Sequence, residues 1–341
     1  MATHRLTDFL PRLVRREDLT RDEAFELLEA LLDAAATDAQ ISGTLVALAA
    51  KGETIEELVG MAEGLRSRAV RVISQHSCFI DTAGTGSSRA KTFNISTAAA
   101  FVIAGAGLPV AKHGNRAASS KSGSADLLTA LGVNVSAIPL ASEQALNEIG
   151  ICFMFAPLYH GATARVAGIR RQLGIHTTFN LLGPLSNPAG APRQIIGVWR
   201  REFAEKLAHV LSELGTEHAW VVHGEDGLDE ITLAGKTHVA EAQNREVKTF
   251  EIGPDDFGFE TGSLDHLRGG DAEANAKIVS AVLSGSRKDE ARALVILNAA
   301  AALFLGGAAA NLREGAKMAG DSIDSGAAEH KLELLIEATS G

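Results

Sequence analysis

Apolar positions recur three or four residues apart through the first part of the chain. Phe25, Leu28 and Leu32 share one helical face behind Thr20, and Leu58, Met61 and Leu65 share one behind Thr54. Three stretches open on a Thr followed three residues later by Glu or Gln: Thr20 with Glu23, Thr37 with Gln40, and Thr54 with Glu57. In such a capping box the hydroxyl accepts an orphan backbone N–H, and the acid or amide reaches back to the Thr N–H. The pattern predicts a small helical domain over residues 1–75, poor in chemistry.

At Cys78 the period changes. CFIDTAG, LPVAKHG, VNVSAI, ICFMFAP and HAWVVHG read as short strands. Between them AAAFVIAGAG, SADLLTALG and ASEQALNEIG read as helices. Residues 240–262 read as short strands and turns, and the last 70 residues as helix. Strands alternating with helices predict an α/β fold: the small helical domain, then a larger α/β domain over 76–341 with a central, largely parallel sheet. The most apolar window, residues 291–310, carries Arg292, Asn298 and a Gly pair, so it reads as a buried core helix and not a membrane span. Ligands of open α/β sheets bind beyond the carboxyl ends of the strands. The polar loops at Gly84, Lys112, Pro157 and His223 all follow predicted strands and are expected on one edge.

Composition narrows the function classes. A chain of 341 residues, 46% hydrophobic and 22% charged, has the core of an ordinary globular protein. A net charge of −10 disfavours a nucleic-acid track but leaves room for a local basic pocket. Cys78 and Cys152 have no CxxC or metal-ligand spacing, which fits a reduced, cytoplasmic setting. The N-terminal stretch lacks the apolar core of a signal peptide.

Four segments carry candidate chemistry. In residues 81–100, Gly84 and Gly86 permit close backbone approach, and Asn94, Ser96 and Thr97 open a helix whose free N–H groups suit a phosphate. Arg89 stands where a dinucleotide fingerprint needs its third Gly, and there is no Walker A motif. Residues 111–128 gather Lys112, His113, Asn115, Arg116 and Lys121 among Gly and Ser, a basic island suited to a polyphosphate. Residues 155–190 hold Tyr159 and His160, candidates for an aromatic pocket, and Arg170 and Arg171, candidates for a carboxylate. Residues 221–232 crowd Glu225, Asp226, Asp229 and Glu230, hard oxygen donors that suit Mg²⁺ shared with substrate phosphates. No Ser–His–Asp or Cys–His system is apparent, so no covalent intermediate is expected.

With TFNIST (92–97), KHGNRAASSKSGSAD (112–126), TFNLLGPLSNPA (178–189) and HGEDGLDE (223–230) in this order, the chain resembles the anthranilate phosphoribosyltransferase family along essentially its whole length. The resemblance implies the nucleoside phosphorylase/phosphoribosyltransferase-like fold, with helices near 165–190 returning to the helical domain, a hinge cleft, and a homodimer formed through that domain. It implies transfer of phosphoribosyl from 5-phosphoribosyl diphosphate to anthranilate, with Mg²⁺. Carried over by motif, Gly84, Ser87, Ser88, Thr92, Asn94, Ile95, Ser96 and Thr97 hold the diphosphate donor. So do Lys112, His113, Gly114, Asn115, Arg116, Ala117, Ala118, Ser119, Ser120 and Ser124. Gly84, His113, Asn115, Tyr159 and Arg170 meet anthranilate, and Ser96, Asp229 and Glu230 bind the metal.

One departure stands out. The family's first loop usually reads GTGGDG, and here Ser87, Ser88 and Arg89 replace a Gly, an Asp and a Gly. A carboxylate beside the metal–diphosphate site is lost, and the turn is stiffer. Two rivals remain at this level. One is a related pyrimidine nucleoside phosphorylase; the other is a non-enzymatic nucleic-acid-binding relative, disfavoured by the acidic charge.

Overall fold

Helix α1 (Leu6–Val14) buries Leu6, Phe9 and Leu13 on one face. The three capping boxes then form as the pattern predicts, and start α2 (Arg21–Leu32), α3 (Asp38–Lys51) and α4 (Ile55–Ser67). Thr54 N–H donates to Glu57 Oε2 at 2.8 Å, and Glu57 Oε1 also takes the Leu19 N–H at 2.9 Å, so one buried acid joins the α4 cap to the segment before α2. Gly60 lets α4 lie against the start of α2: a Cβ there would sit 2.0 Å from Arg21 O. The computed structural model describes residues 5–86, 92–117, 122–265 and 267–340.

A link leads from α4 to β1 (Ile80–Gly84) and α5 (Ile95–Gly105), then β2 (Val110–Gly114), α6 (Ser124–Ala130), α7 (Pro139–Ile149) and β3 (Ile151–Phe155). Next come the short α8 (Ala156–Tyr159), α9 (Ala164–Leu173) and α10 (Thr178–Leu185). Helix α9 packs on α2 and α3, and α10 on α3 and α4. The chain re-enters the sheet as β4 (Arg193–Gly197), followed by α11 (Glu202–Glu213), β5 (His218–Gly224), β6 (Thr237–Gln243) and β7 (Glu246–Ile252). Helices α12 (Ala272–Leu283), α13 (Glu290–Leu305), α14 (Leu312–Asp324) and α15 (Ala327–Thr339) complete it.

The sheet order is β3-β2-β1-β4-β5-β6-β7. β1 to β5 are parallel, and β6 and β7 add an antiparallel tail. The β6–β7 turn places Asn244 and Arg245 at φ 54° and 65°, the left-handed pair that a two-residue hairpin needs. Side chains alternate between two cores: Trp220 and Val222 of β5 face α5 and α13, while Ala219 and Val221 face α11 and the helical bundle. The apolar window expected as a core helix is α13, buried nearly all round.

Two readings of the pattern need correction. VNVSAI forms turns, not a strand: Val133 and Val135 are buried, but Val135 N–H bonds to Val133 O and Ala137 N–H to Asn134 O, so the segment closes on itself. The strand Arg193–Gly197 was missing from the expectation, yet β4 sits at the centre of the sheet between β1 and β5.

Candidate active site at the carboxyl edge of the sheet

Because β1 to β5 are parallel, Gly84, Gly114, Phe155, Gly197 and Gly224 end their strands on the same edge. The strand order reverses between β1 and β4, the crevice where such sheets bind ligands. Thr85 N–H and Oγ1 both donate to Gly197 O at 2.9 Å and hold the two strand ends together. The loop after β5 folds back over this point. A Cβ on Gly197 would lie 1.6 Å from Asp229 O, and one on Gly84 3.9 Å from Asp229 Oδ2. Gly197 is therefore required for Asp229 to reach the crevice.

The start of α5 faces the same place. Asn94 does not cap the helix with its side chain. Its Nδ2 donates to Ser122 O, and its Oδ1 accepts from Ser122 Oγ and from Asn275 Nδ2 at 3.1 Å. The Ser96 N–H points instead at Glu230 Oε1, 3.1 Å away. Burial pushes the Glu230 carboxyl up to about 8, and Asp229 adds to this, while Lys112 and Ser96 oppose it. Asp226, by contrast, is occupied within its own turn, taking Thr232 Oγ1 at 2.7 Å and Leu228 N–H at 3.1 Å. Glu225 is exposed.

Lys112 lies inside β2, buried, not in the loop where the basic island placed it. Its Nζ donates to Thr82 O, to Thr82 Oγ1 at 3.2 Å and to Ser96 Oγ at 3.5 Å. Burial lowers its pKa against the pull of Asp81 and Glu230. Beyond β2 the basic loop turns outward. Asn115 is exposed, and its carbonyl takes Ser124 Oγ at 3.3 Å. Arg116 pairs with Asp126 at 2.8 Å and lies over the Phe155 ring. Asp126 also takes the Ala117 and Gly123 N–H groups, which draws both ends of the loop together. Thr92 bridges to Arg268. Ile95 and Thr97 are buried in α5. Ser87, Ser88, Arg89, Ala118, Ser119, Ser120 and Lys121 lie outside the described residues.

A second pocket wall comes from β2, α9 and α10. His113 is buried, and its Nδ1–H donates to Gly183 O at 3.2 Å. His160 Nε2–H donates to Ser186 O at 3.1 Å. Their rings sit 5.2 Å apart. A carbonyl can only accept, so each ring carries its proton on the bonded nitrogen. His113 Nε2 and His160 Nδ1 are then bare acceptors, buried and without a hydrogen-bond partner among the described residues. Burial lowers His113 to about 3, with His160 adding to the effect, so it stays neutral. Tyr159 is buried in the sheet's core, where burial raises its phenol to about 12.

Arg170, on the last turn of α9, is half-buried over the Phe179 ring, 5.5 Å away. Its Nη2 donates to Asn180 Oδ1 at 3.0 Å. It makes no ion pair among the described residues, and its Nε has no acceptor there. Burial lowers its pKa to about 10. An uncompensated guanidinium held in place by a neutral amide is suited to an incoming carboxylate. Arg171 is exposed.

Three residues here were not singled out from the sequence. Asn180 orients Arg170. Asp81, fully buried on β1, takes His113 N–H at 3.2 Å and Asn187 Nδ2 at 2.7 Å. Asn187 also donates to Ala111 O at 2.9 Å. The quoted motif TFNLLGPLSNPA contains both asparagines, and nothing in their spacing marks one as oriented on an Arg and the other on a buried acid.

The comparisons agree along the chain. Residues 76–329 match the glycosyl transferase family a/b domain, and residues 7–69 its helical bundle domain. An anthranilate phosphoribosyltransferase of Anaeromyxobacter dehalogenans (strain 2CP-C) is 51% identical over 97% of this chain and 98% of its own length. The crystal structure of anthranilate phosphoribosyltransferase from Thermus thermophilus superposes with a TM-score of 0.91 at 37% identity, covering 98% of this chain and 100% of that one. The Saccharomyces cerevisiae enzyme in complex with PRPP and Mg superposes at 0.89 with 29% identity, covering 98% of each chain.

Proposed function

The chain belongs to the anthranilate phosphoribosyltransferase family, and from that premise we propose how its sheet edge divides the work. The protein transfers the phosphoribosyl group of 5-phosphoribosyl diphosphate to anthranilate, releasing diphosphate, in tryptophan biosynthesis. Neither the phosphorylase nor the nucleic-acid-binding alternative is supported by these relatives.

Magnesium is its cofactor. The donors fit a hard cation: the Glu230 carboxyl meets the Ser96 N–H at the start of α5, and the neighbouring Asp229 carboxylate lies toward Gly84 at the end of β1. Among the described residues no cluster of three or more His, Cys, Asp or Glu forms a closed metal cage. That suits Mg²⁺, which keeps one or two carboxylates and takes its other oxygens from substrate phosphates and water. Bound there, it neutralises charge on the departing diphosphate.

The protein's own groups supply the rest. Gly84, Thr92, Asn94 to Thr97, Lys112 to Ala117 and Ser124 line the donor side. The Lys112 ammonium, fixed between Thr82 and Ser96, places a positive charge where the leaving group gathers negative charge. Arg170 takes the anthranilate carboxylate, with Gly84 and Asn115 completing that side, while Tyr159 is closed off in the core behind it. His113 Nε2 offers its lone pair to the aryl amine N–H and orients it toward the ribose. A neutral aryl amine needs no strong base, and an imidazole held near 3 is an acceptor, not a proton store. The observation that carries this assignment is the meeting of Glu230, Ser96 and Lys112 at one helix start beside the β1–β4 crevice. Loss of anthranilate fluorescence, followed with and without 5-phosphoribosyl diphosphate and Mg²⁺, tests it. No change with all components present overturns it.

The division into residues 1–75 and 76–341, with α9 and α10 packed on the bundle, supports closure of a cleft around both substrates. A homodimer through the helical domain is supported by Val14 and Val46, 68% and 42% exposed on α1 and α3. Cytoplasmic residence is supported by two free thiols.

A further inference from the structure

Residues 68–79 carry the chain from α4 to β1, and residues 186–192 carry it from α10 to β4. These links meet at the amino edge of the sheet, about 13 Å along the strands from the site described above. Val72 N–H donates to Pro188 O at 3.3 Å, which ties one link to the other. Between them opens a cavity of about 480 Å³, walled by Val72, Phe79, Pro188 and Pro192 and bordered by Arg66 and Arg71. That volume suits a small molecule.

The two arginines lack a salt-bridge partner among the described residues, although Glu63 lies near enough to Arg66 to oppose the effect of its burial. Arg66 donates from Nε to Leu185 O at 2.7 Å and from Nη1 to Leu214 O at 3.3 Å, and burial lowers its pKa. Arg71 is exposed. Neither makes an ion pair among the described residues. With Arg66 engaged on two carbonyls, the exposed Arg71 guanidinium beside apolar walls complements one carboxylate on an apolar body; a polyanion would find few partners for its further charges.

The walls also reach the catalytic edge. Asn187 lines the cavity and holds Asp81, which holds the His113 N–H. Arg66 holds the end of α10, whose Asn180 orients Arg170. We propose that this cavity is a second ligand site, for a small carboxylate with an apolar body, and that its occupancy sets the geometry of the two links and so of the anthranilate pocket. The binding stands apart from the transferase reading, and only the coupling rests on it. A ligand shifts such an equilibrium only by binding one geometry better than the other.

The test is calorimetry of 3-phenylpropanoate with the full chain. Wild type and Arg170→Ala should bind it alike. Arg71→Glu, and Ala189→Leu, which fills the cavity from the opposite wall, should bind it about tenfold more weakly, and the neutral 3-phenylpropanamide should do no better. In the transferase assay the acid should change kcat at saturating anthranilate in wild type and not in Arg71→Glu. No binding heat, or binding lost in Arg170→Ala and kept in Arg71→Glu, overturns the site. Pure competition with anthranilate overturns the coupling. Absence of turnover without the acid refutes the transferase reading alone.

Discussion

Asn180 Oδ1 accepts from Arg170 Nη2 and from the Thr177 N–H, both at 3.0 Å, so one amide oxygen ties the guanidinium to the first turn of α10. The arginine is aimed before any carboxylate arrives. Arg170→Ala should raise the anthranilate KM at least about tenfold with little change in the donor KM, and Arg170→Lys should recover little, because an ammonium lacks the planar fork. Asn180→Ala should raise the same KM less. Equal effects on both substrates would remove Arg170 from the acceptor side.

The acid pair is testable without altering shape. Asp229→Asn with Glu230→Gln keeps size and hydrogen-bonding capacity at Ser96 while removing charge. Turnover should fall by about 100-fold or more, with a melting temperature within a few degrees of wild type. A double variant with unchanged Mg²⁺ dependence of activity would rule the pair out as the metal's anchor.

The altered first loop offers a test of the proposed metal site. Ser88 stands where the family has Asp, and a hydroxyl cannot supply a carboxylate's charge. Ser87→Gly, Ser88→Asp and Arg89→Gly together should lower the Mg²⁺ concentration for half-maximal rate. If the requirement stays the same and the donor KM rises sharply, Arg89 had been holding diphosphate.

His113 gives a pH signature in stability. Its folded pKa, near 3, lies below the unfolded value of about 6.5, so below pH 6.5 the unfolded chain binds the extra proton. Stability is whole above that pH and falls on acidification, by up to about 1.4 kcal/mol per pH unit from this group. The melting temperature should drop between pH 7 and pH 5, and His113→Asn should flatten the drop. An equal drop in the variant would show that other groups carry it.

Legibility from sequence followed the range of the interactions. The capping boxes act over three residues and were readable to the residue. VNVSAI has strand composition, but it lies between α6 and α7, bonded to itself, and composition does not record the absence of a partner edge. β4 was invisible for the converse reason: RQIIG is short, and its strand character comes from β1 and β5 on either side. In the acidic loop, spacing could not separate Asp226, which staples its own turn, from Glu230, which meets a helix over a hundred positions away in the chain. Lys112 was grouped with the basic loop although the strand pattern LPVAKHG already covered it, because a cation inside a strand leaves no mark in spacing that separates it from one just beyond the strand end.

The β1–β4 pairing has a consequence for how the protein is made. Asp81 waits for Asn187, 106 positions later, and β1 waits longer still for the strand that completes the sheet's centre. On the ribosome, β1, β2 and β3 can assemble first, with one edge of β1 open until β4 emerges. Non-local pairing of this kind is slow, and an unpaired central strand is prone to associate with other chains. The β1–β4 crevice is thus a seam that stays open until more than half of the chain has been made, and slowed translation between residues 160 and 200 should prolong the aggregation-prone interval.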